Sequence, residues 1–165
     1  MYTPLLRLFK KQALFSTALI LISGLSFQSS NLYAATFTVN TIEDTEDALA
    51  GDGLAEDAAG NTSLRAAITE ANALAGADTI NFDTGLIASG SETITLTLFD
   101  TGLDNGEFGP TAFIIDSDIT INGPTGDNGI TVERDANDND EFRLIHIMSG
   151  ASVSINNLNL SNGLA

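Results

Sequence analysis

The feature of this sequence that most limits its fold is a series of short apolar runs with a period of two. Each run is broken by Gly, Asn or Asp, which is typical of strands that bury one face. No amphipathic helix separates the runs, so an alternating βαβ sheet is disfavoured and an all-β fold is predicted. The runs are Ile80 and Phe82; Ile94, Leu96 and Leu98; Ile119 and Ile121; Ile130 and Val132; Ile145 and Ile147; Val153 and Ile155; and Leu158 and Leu160.

Two details favour a β-solenoid, although the pattern alone leaves a β-sandwich open. Within residues 153–160 the apolar positions change parity across Asn156-Asn157. A chain does this when it turns a sharp corner and keeps its apolar side inward, and Asn tolerates the left-handed backbone of such corners. In addition, Ile-Thr-Ile-Asn-Gly at 119–123 is echoed by Val-Ser-Ile-Asn-Asn at 153–157. Inexact repetition is expected of stacked coils, but it is too degenerate here to fix a period.

Residues 1–34 have the order of a secretory signal peptide. A basic segment to Lys11 is followed by 13 largely apolar residues, a polar stretch and the small residues Ala34 and Ala35. This order predicts export, with cleavage after Ala34 and a secreted or cell-surface location. The apolar segment is shorter than the ~20 residues that a transmembrane helix needs, so an uncleaved N-terminal anchor is the disfavoured alternative.

Removal of the signal peptide makes the chain strongly acidic. Three of the six basic residues lie in residues 1–34, so Arg65, Arg134 and Arg143 remain against 22 acidic residues. Such a surface repels phosphate backbones and anionic lipid, so nucleic acid and anionic membranes are poor partners, whereas divalent cations fit. The chain contains no cysteine, so no disulfide supports the exported fold.

One helix is predicted, after an acidic segment. Ser63 can cap it, and Gly76 is expected to stop it. The segment 44–60 before it is rich in Asp, Glu, Ala and Gly and is predicted to be an exposed loop. Because the apolar face of the helix is mostly alanine, we expect it to lie close against the end of a sheet. The residues at helical spacing are Leu64, Ala67, Ile68, Ala71 and Leu74.

The same region carries a family resemblance. The stretch Gly51-Asp-Gly, then Asn61-Thr-Ser-Leu-Arg-Ala-Ala-Ile-Thr-Glu-Ala-Asn72 and Gly76-Ala-Asp-Thr-Ile-Asn-Phe82, resembles the CSLREA-type domain. That module stands at the front of many large bacterial surface and secreted proteins. The resemblance implies a right-handed parallel β-helix of the pectin-lyase-like kind. On this basis residues 35–82 form an N-terminal capping module with a strand and a capping helix. Residues 83–165 form the first coils of the β-helix, which we expect to continue in a longer protein.

The chain departs from the family pattern at three positions. Ala55 and Thr62 stand where the family often has two cysteines, so the loop-closing disulfide that they imply is absent as a pair. Ala66 stands where a glutamate would complete a capping box with Ser63. None of these departures removes a catalytic group, because the module resembles a structural cap.

An acidic loop near the C-terminus is the candidate metal site. Hard cations bind several oxygen ligands, and this loop offers carboxylates and amides in close succession. Glycine is missing at the sixth position and glutamate at the twelfth, so the loop is not an EF-hand. The alternative is a solvated charged loop. The predicted Ca²⁺ ligands are Asp135, Asn137, Asp138, Asn139, Asp140 and Glu141.

No catalytic constellation is predicted. Asp116 and Asp118 share one side of a strand but are interpreted as the start of a coil, and the sequence contains no second histidine and no cysteine that could form a zinc site or triad with His146. We therefore expect a non-catalytic adhesion-type protein with a glycan or a cell-surface protein as partner. The alternatives are the front part of a polysaccharide-active lyase or hydrolase, and a structural protein of saline surroundings without a specific partner.

Overall fold

The computed structural model describes residues 33–100, 109–137 and 140–164, so the predicted signal peptide lies outside the described residues apart from Tyr33 and Ala34. The described chain contains one α-helix and nine strands. Their bounds are β1 Thr36–Val39, α1 Leu64–Ala73, β2 Ala77–Phe82, β3 Glu92–Leu96, β4 Thr111–Ile115, β5 Asp118–Asn122, β6 Ile130–Arg134, β7 Arg143–Ile147, β8 Val153–Asn156 and β9 Leu158–Ser161. A single 3₁₀ turn, Thr84–Ile87, follows β2.

The strands form three parallel sheets. The first has the order β1-β2-β5-β8, the second β3-β6-β9 and the third β4-β7. Consecutive strands from β2 onward therefore enter different sheets, and the chain visits the sheets in the same order on each pass. All pairs between these strands are parallel. The prediction of an all-β fold is confirmed, and its sheets are parallel.

The predicted inward residues form continuous apolar columns. In the first sheet Phe37, Ile80, Ile121 and Ile155 are in register, and the first three are buried. Ile94, Val132 and Leu160 form the matching column of the second sheet. Full burial of a side chain of this size stabilises the fold by about 1.5–3 kcal/mol. The columns are less covered at their far end, where Leu160 is 46% exposed.

Three residues of the predicted alternation are exposed, namely Leu160, described above, and Leu98 and Ile147. Leu98 lies beyond β3 and is 37% exposed, because the chain leaves the second sheet after Leu96 and the backbone N–H groups of Thr97 and Leu98 donate to Asp44 instead. Ile147 ends β7 and is 46% exposed. Ile147 is in register with the buried Ile115, and it is exposed because β7 is the last strand of the third sheet in the described residues.

Connections of unequal length explain why no period could be read from the sequence. Asn122 lies 41 residues after its ladder partner Asn81, whereas Asn156 lies 34 residues after Asn122. In the second sheet Ser161 follows its partner Glu133 by 28 residues. The strands keep register while the segments between them vary in length.

The predicted helix and its N-cap are confirmed. Ser63 has extended backbone and its hydroxyl accepts from the Ala66 N–H at 2.9 Å. Ala66, Ala67 and Ala71 are completely buried, so the helix backbone approaches β1, β2 and β4 closely. The helix therefore covers the start of the stacked strands, and we call β1, the segment 40–63 and α1 the lid.

The predicted corner at Asn156-Asn157 is confirmed by the backbone. Asn157 has φ 53°, in the left-handed region, and Asn162 repeats this at φ 60°. Asparagine adopts this region more readily than other non-glycine residues because its short amide bonds to nearby backbone. The chain thus turns from β8 into β9 without a glycine.

The acidic segment 44–60 is a loop and most of its residues are exposed, as predicted, but two of them are anchored in the interior. Ala55 and Asp57 are buried, and the Asp57 carboxylate accepts the backbone N–H groups of Ala59 and Asn61 at 2.8 and 2.9 Å and the Thr45 hydroxyl at 2.9 Å. The Asp57 carboxylate thus accepts hydrogen bonds from backbone groups of the loop, a contact that composition alone does not predict.

Asp57 makes the stability of the lid dependent on pH. The Asn61 N–H, followed by the Thr45 hydroxyl, holds the pKa of the Asp57 carboxyl below its ordinary value, and burial opposes this only in part. The resulting stabilisation is present above the unfolded-state pKa of about 4 and is lost as pH falls through the lower folded-state pKa. We expect the difference in melting temperature between the wild type and Asp57→Asn to shrink as pH is lowered from about 5 to 2. Parallel curves over that range would contradict this role.

Candidate functional site

The outer face of the first sheet is a regular array of neutral polar side chains. Neighbouring strands lie about 4.8 Å apart, and alternate residues on one strand about 6.7 Å apart, so the in-register side chains form a grid. We call this surface the polar grid. One of its rows is Thr36, Thr79, Thr120 and Ser154, and the other is Thr38, Asn81, Asn122 and Asn156.

The second row is held by an asparagine ladder. Asn122 Nδ2 donates to Asn81 Oδ1 at 3.2 Å, and Asn156 Nδ2 donates to Asn122 Oδ1 at 3.0 Å. Each carboxamide has two donor hydrogens and two acceptor lone pairs. The ladder uses one donor and one acceptor position of Asn122, and these contacts fix the direction of the amide. The remaining positions can bind water or an external ligand.

The polar grid is uncharged although the chain is strongly acidic. All eight of its side chains are hydroxyls or carboxamides, and each is exposed or half-buried. Asp118 lies at the start of β5, where its Oδ1 accepts the Ser152 N–H at 2.8 Å and so links two passes of the chain. A neutral surface with alternating donors and acceptors complements a hydroxyl-rich ligand, because such a ligand pairs with both kinds of group.

The second sheet has a less uniform outer face. Thr93, Thr131 and Asn159 form one row. The next row includes Glu133, whose Oε2 accepts the Ser161 hydroxyl at 3.1 Å. This carboxylate places a negative charge within the row. The first sheet therefore offers the longer and more neutral surface.

The predicted calcium loop is folded partly on itself. Asp135 Oδ1 accepts the Asn137 backbone N–H at 2.8 Å and its Nδ2 at 3.1 Å. Asp140 and Glu141 are exposed. Asp138 and Asn139 lie outside the described residues. Two of the six predicted ligands are thus brought together, by contacts with each other.

An arginine already places positive charge in this loop. Arg134 Nη1 donates to the backbone oxygens of Asp135 and Asp140 at 3.3 and 3.2 Å, and its Nε donates to Asn162 O at 2.9 Å. Its guanidinium lies 5.9 Å from the ring centre of Phe142. Within residues 33–100, 109–137 and 140–164 no three or more His, Cys, Asp or Glu side chains are grouped to hold a metal. Calcium binding at this loop stays a prediction.

Residues that position the lid were not identified from the sequence. The Glu70 side chain is fully buried on α1 and accepts the backbone N–H groups of Gly51 and Gly53. Both glycines have positive φ, near 90°, which a side chain would strain. The available signal was the position of Glu70 three and four residues after Ala67 and Ala66, on the buried side of the helix.

Comparison with known proteins adds no relative to these observations. No family model, no curated protein and no solved structure matches the chain. In the described part of the chain, no helix has both the length and the apolar character needed to cross a bilayer.

Proposed function

We propose that this chain is an exported, right-handed parallel β-helix that binds hydroxyl-rich glycans at a cell surface without converting them. The observation that carries the proposal is the polar grid, an uncharged array of hydroxyl and amide groups on a chain with 22 acidic residues. The polar grid is the open outer face of a sheet and extends across four strands, so it suits an extended polymer. Small molecules instead bind in concave pockets.

The handedness of the coil is supported by topology. Strands β2, β5 and β8 are parallel neighbours joined by long connections through two other sheets. Connections between parallel strands of one sheet are right-handed in about 98% of cases, because of the right-handed twist of the strands.

The capping role implied by the CSLREA resemblance is supported by contacts of its motif residues. Asn72 Nδ2 donates to Ile114 O at 2.7 Å, and its Oδ1 accepts the Asp116 N–H at 3.1 Å. Arg65, Glu70 and Ser63 likewise bind backbone groups of neighbouring segments. Asn72 and Arg65 thus attach the lid to the first pass of the strands, as a cap requires, whereas Glu70 and Ser63 hold parts of the lid together.

A non-catalytic role is supported by the contacts of Asp116 and Asp118, the two acidic residues on one side of a strand. Asp118 links two passes of the chain through Ser152, and the Asp116 backbone is bound by Asn72. General acid–base catalysis requires groups that reach a substrate together, whereas the Asp118 carboxylate is engaged in a contact of the fold. The signal-peptide pattern of residues 1–34 supports export.

A binding experiment tests the polar grid. The exported protein is incubated with immobilised neutral polysaccharides, and the double variant Thr79→Val, Thr120→Val is compared with the wild type. Valine keeps the branched shape that strands favour and removes only the hydroxyls, so the fold is retained. We expect binding to fall at least tenfold, roughly 1.4 kcal/mol or more.

The matched control is Thr93→Val, Thr131→Val, an equivalent in-register pair on the second sheet. We expect this control to bind as the wild type does. Equal loss in both variants, or no binding by the wild type, would contradict the proposed surface. Release of unsaturated or reducing-end products would instead favour a polysaccharide-active enzyme.

A further inference from the structure

Asp78 is a carboxylate in a position built for an apolar side chain. It points inward from β2 and is 1% exposed. The residues in register on the next two strands are Ile119 and Val153, so this column is apolar after its first strand. A buried carboxylate is costly unless a charged or hydrogen-bonding partner neutralises it.

Asp78 is only partly satisfied within the described residues. Its Oδ1 accepts the backbone N–H of Ala35 at 2.7 Å, and its Oδ2 is buried without a hydrogen-bond partner there. Ala35 is fixed in place, because its carbonyl oxygen accepts the Thr79 N–H at 2.9 Å. A peptide N–H brings one hydrogen and no formal charge, which leaves half of the carboxylate unpaired.

We infer that cleavage before Ala35 creates the missing partner of Asp78. Hydrolysis of the Ala34–Ala35 bond by an export peptidase consumes one water, leaves a carboxylate on Ala34 and leaves an amino group on Ala35. That amino group takes up a proton at neutral pH. The nitrogen that already contacts Asp78 then carries a positive charge and additional N–H donors, so it can bind both carboxylate oxygens. This inference rests on the proposed export of the chain.

The surroundings of the bond fit this processing. Tyr33 is 74% exposed and Ala34 is exposed, whereas Ala35 is half-buried and packs against the core. The bond therefore lies where the chain passes from the surface to the interior. Removal of the signal peptide would replace a neutral hydrogen bond with an ion pair at the edge of the first sheet. The lid, which includes β1, would then be fastened in this way only in the processed protein.

The sequence allows a selective chemical test. The lysines of the chain, Lys10 and Lys11, both precede Ala35, and so do the tyrosines, Tyr2 and Tyr33. The processed protein therefore contains no lysine or tyrosine, and acetic anhydride acetylates it at the α-amino group. The full chain is expressed for export, the first residue of the exported protein is found by mass spectrometry, and melting is measured before and after acetylation.

We expect the exported protein to begin at Ala35 and its melting temperature to fall by about 5 °C or more on acetylation. Asp78→Asn, which keeps the shape of the side chain, should melt lower and be insensitive to acetylation. The α-amino group of the folded wild type should also react at least tenfold more slowly than that of the urea-unfolded protein. This rate comparison stands even where Asp78→Asn does not fold.

Three results would overturn the inference: a first residue other than Ala35, an unchanged melting temperature after acetylation, or equal reaction rates in the folded and unfolded protein. Failure of the proposed export gives a different result, because the chain is then retained in the cell and begins at Met1. An exported chain that starts elsewhere contradicts the role of Ala35 and leaves the export itself standing.

Discussion

Replacing Arg65 with methionine is expected to lower the free energy of unfolding by about 3–5 kcal/mol. Arg65 Nε and Nη2 donate to the two carboxylate oxygens of Asp44 at 2.7 and 3.1 Å. The side chains are 11% and 4% exposed, so methionine would leave the Asp44 charge buried without its counterion. The guanidinium also donates to the backbone oxygens of Leu98 and Ala112, both at 2.7 Å. These contacts join the lid to the ends of β3 and β4.

Urea unfolding of four variants, Arg65→Met, Arg65→Lys, Asp44→Asn and the double variant, separates the contributions to this contact. Arg65→Lys keeps the charge but loses the planar fork, so an intermediate loss is expected. Arg65→Met combined with Asp44→Asn removes both charges, so its loss should be smaller than the sum of the two single losses. A loss below about 1 kcal/mol for Arg65→Met would mean that the pair behaves as a surface salt bridge.

Replacing Gly123 with alanine is expected to cost about 3 kcal/mol or more, the upper part of the range for overpacked interiors. A Cβ at this position would lie 2.1 Å from the backbone oxygen of Asn157 and 2.7 Å from its carbonyl carbon. These atoms belong to the corner between β8 and β9, so they cannot rotate away as a side chain could. The Gly123 N–H also donates to Asn156 O at 2.8 Å, and separation of the two passes would lengthen this bond.

Gly129→Ala is the matched control for Gly123. The nearest atom to its Cβ is Asn159 Nδ2 at 3.8 Å, an ordinary contact, and its backbone is outside the positive-φ region. We expect a change within about 0.5 kcal/mol in thermal or urea unfolding. Equal losses at the two glycines would show that chain flexibility, and not the close approach of Asn157, determines the effect.

The local elements of this fold could be predicted because short-range patterns determine them. Ser63 and the alanine spacing after it specified α1 and its cap, and the parity change at Asn156-Asn157 specified a corner. These signals depend on residues within one turn of helix or one strand, so a single sequence carries them. The alternation also placed apolar side chains on one face of each strand, but the register that aligns the rows of the polar grid came only from the structure.

The lid and its carboxylates could not be predicted because they depend on long-range contacts. Asp44 binds Arg65 and the backbone of Leu98, 21 and 54 residues further along the chain. Asp78 occupies an inward position of β2. From the sequence alone, an acidic residue in an alternating strand is expected on the outward, polar face. No local pattern distinguishes such a carboxylate from a solvated one, so the interior contacts of Asp44 and Asp57 could not be predicted from the acidic composition of residues 44–60.

The unequal lengths of successive passes show that the register of the strands is conserved from pass to pass while the length of the connections varies. Register is fixed by the strands, whereas the connections already differ by several residues between one pass and the next. Doubling the length of a flexible connection costs only about 0.6 kcal/mol in closure entropy. Insertions and deletions near Gly126, where a Cβ would meet no atom within 4 Å, can therefore diversify the flank of the molecule. Such a chain can acquire new surface loops by small changes in length, while its interior is inherited unaltered.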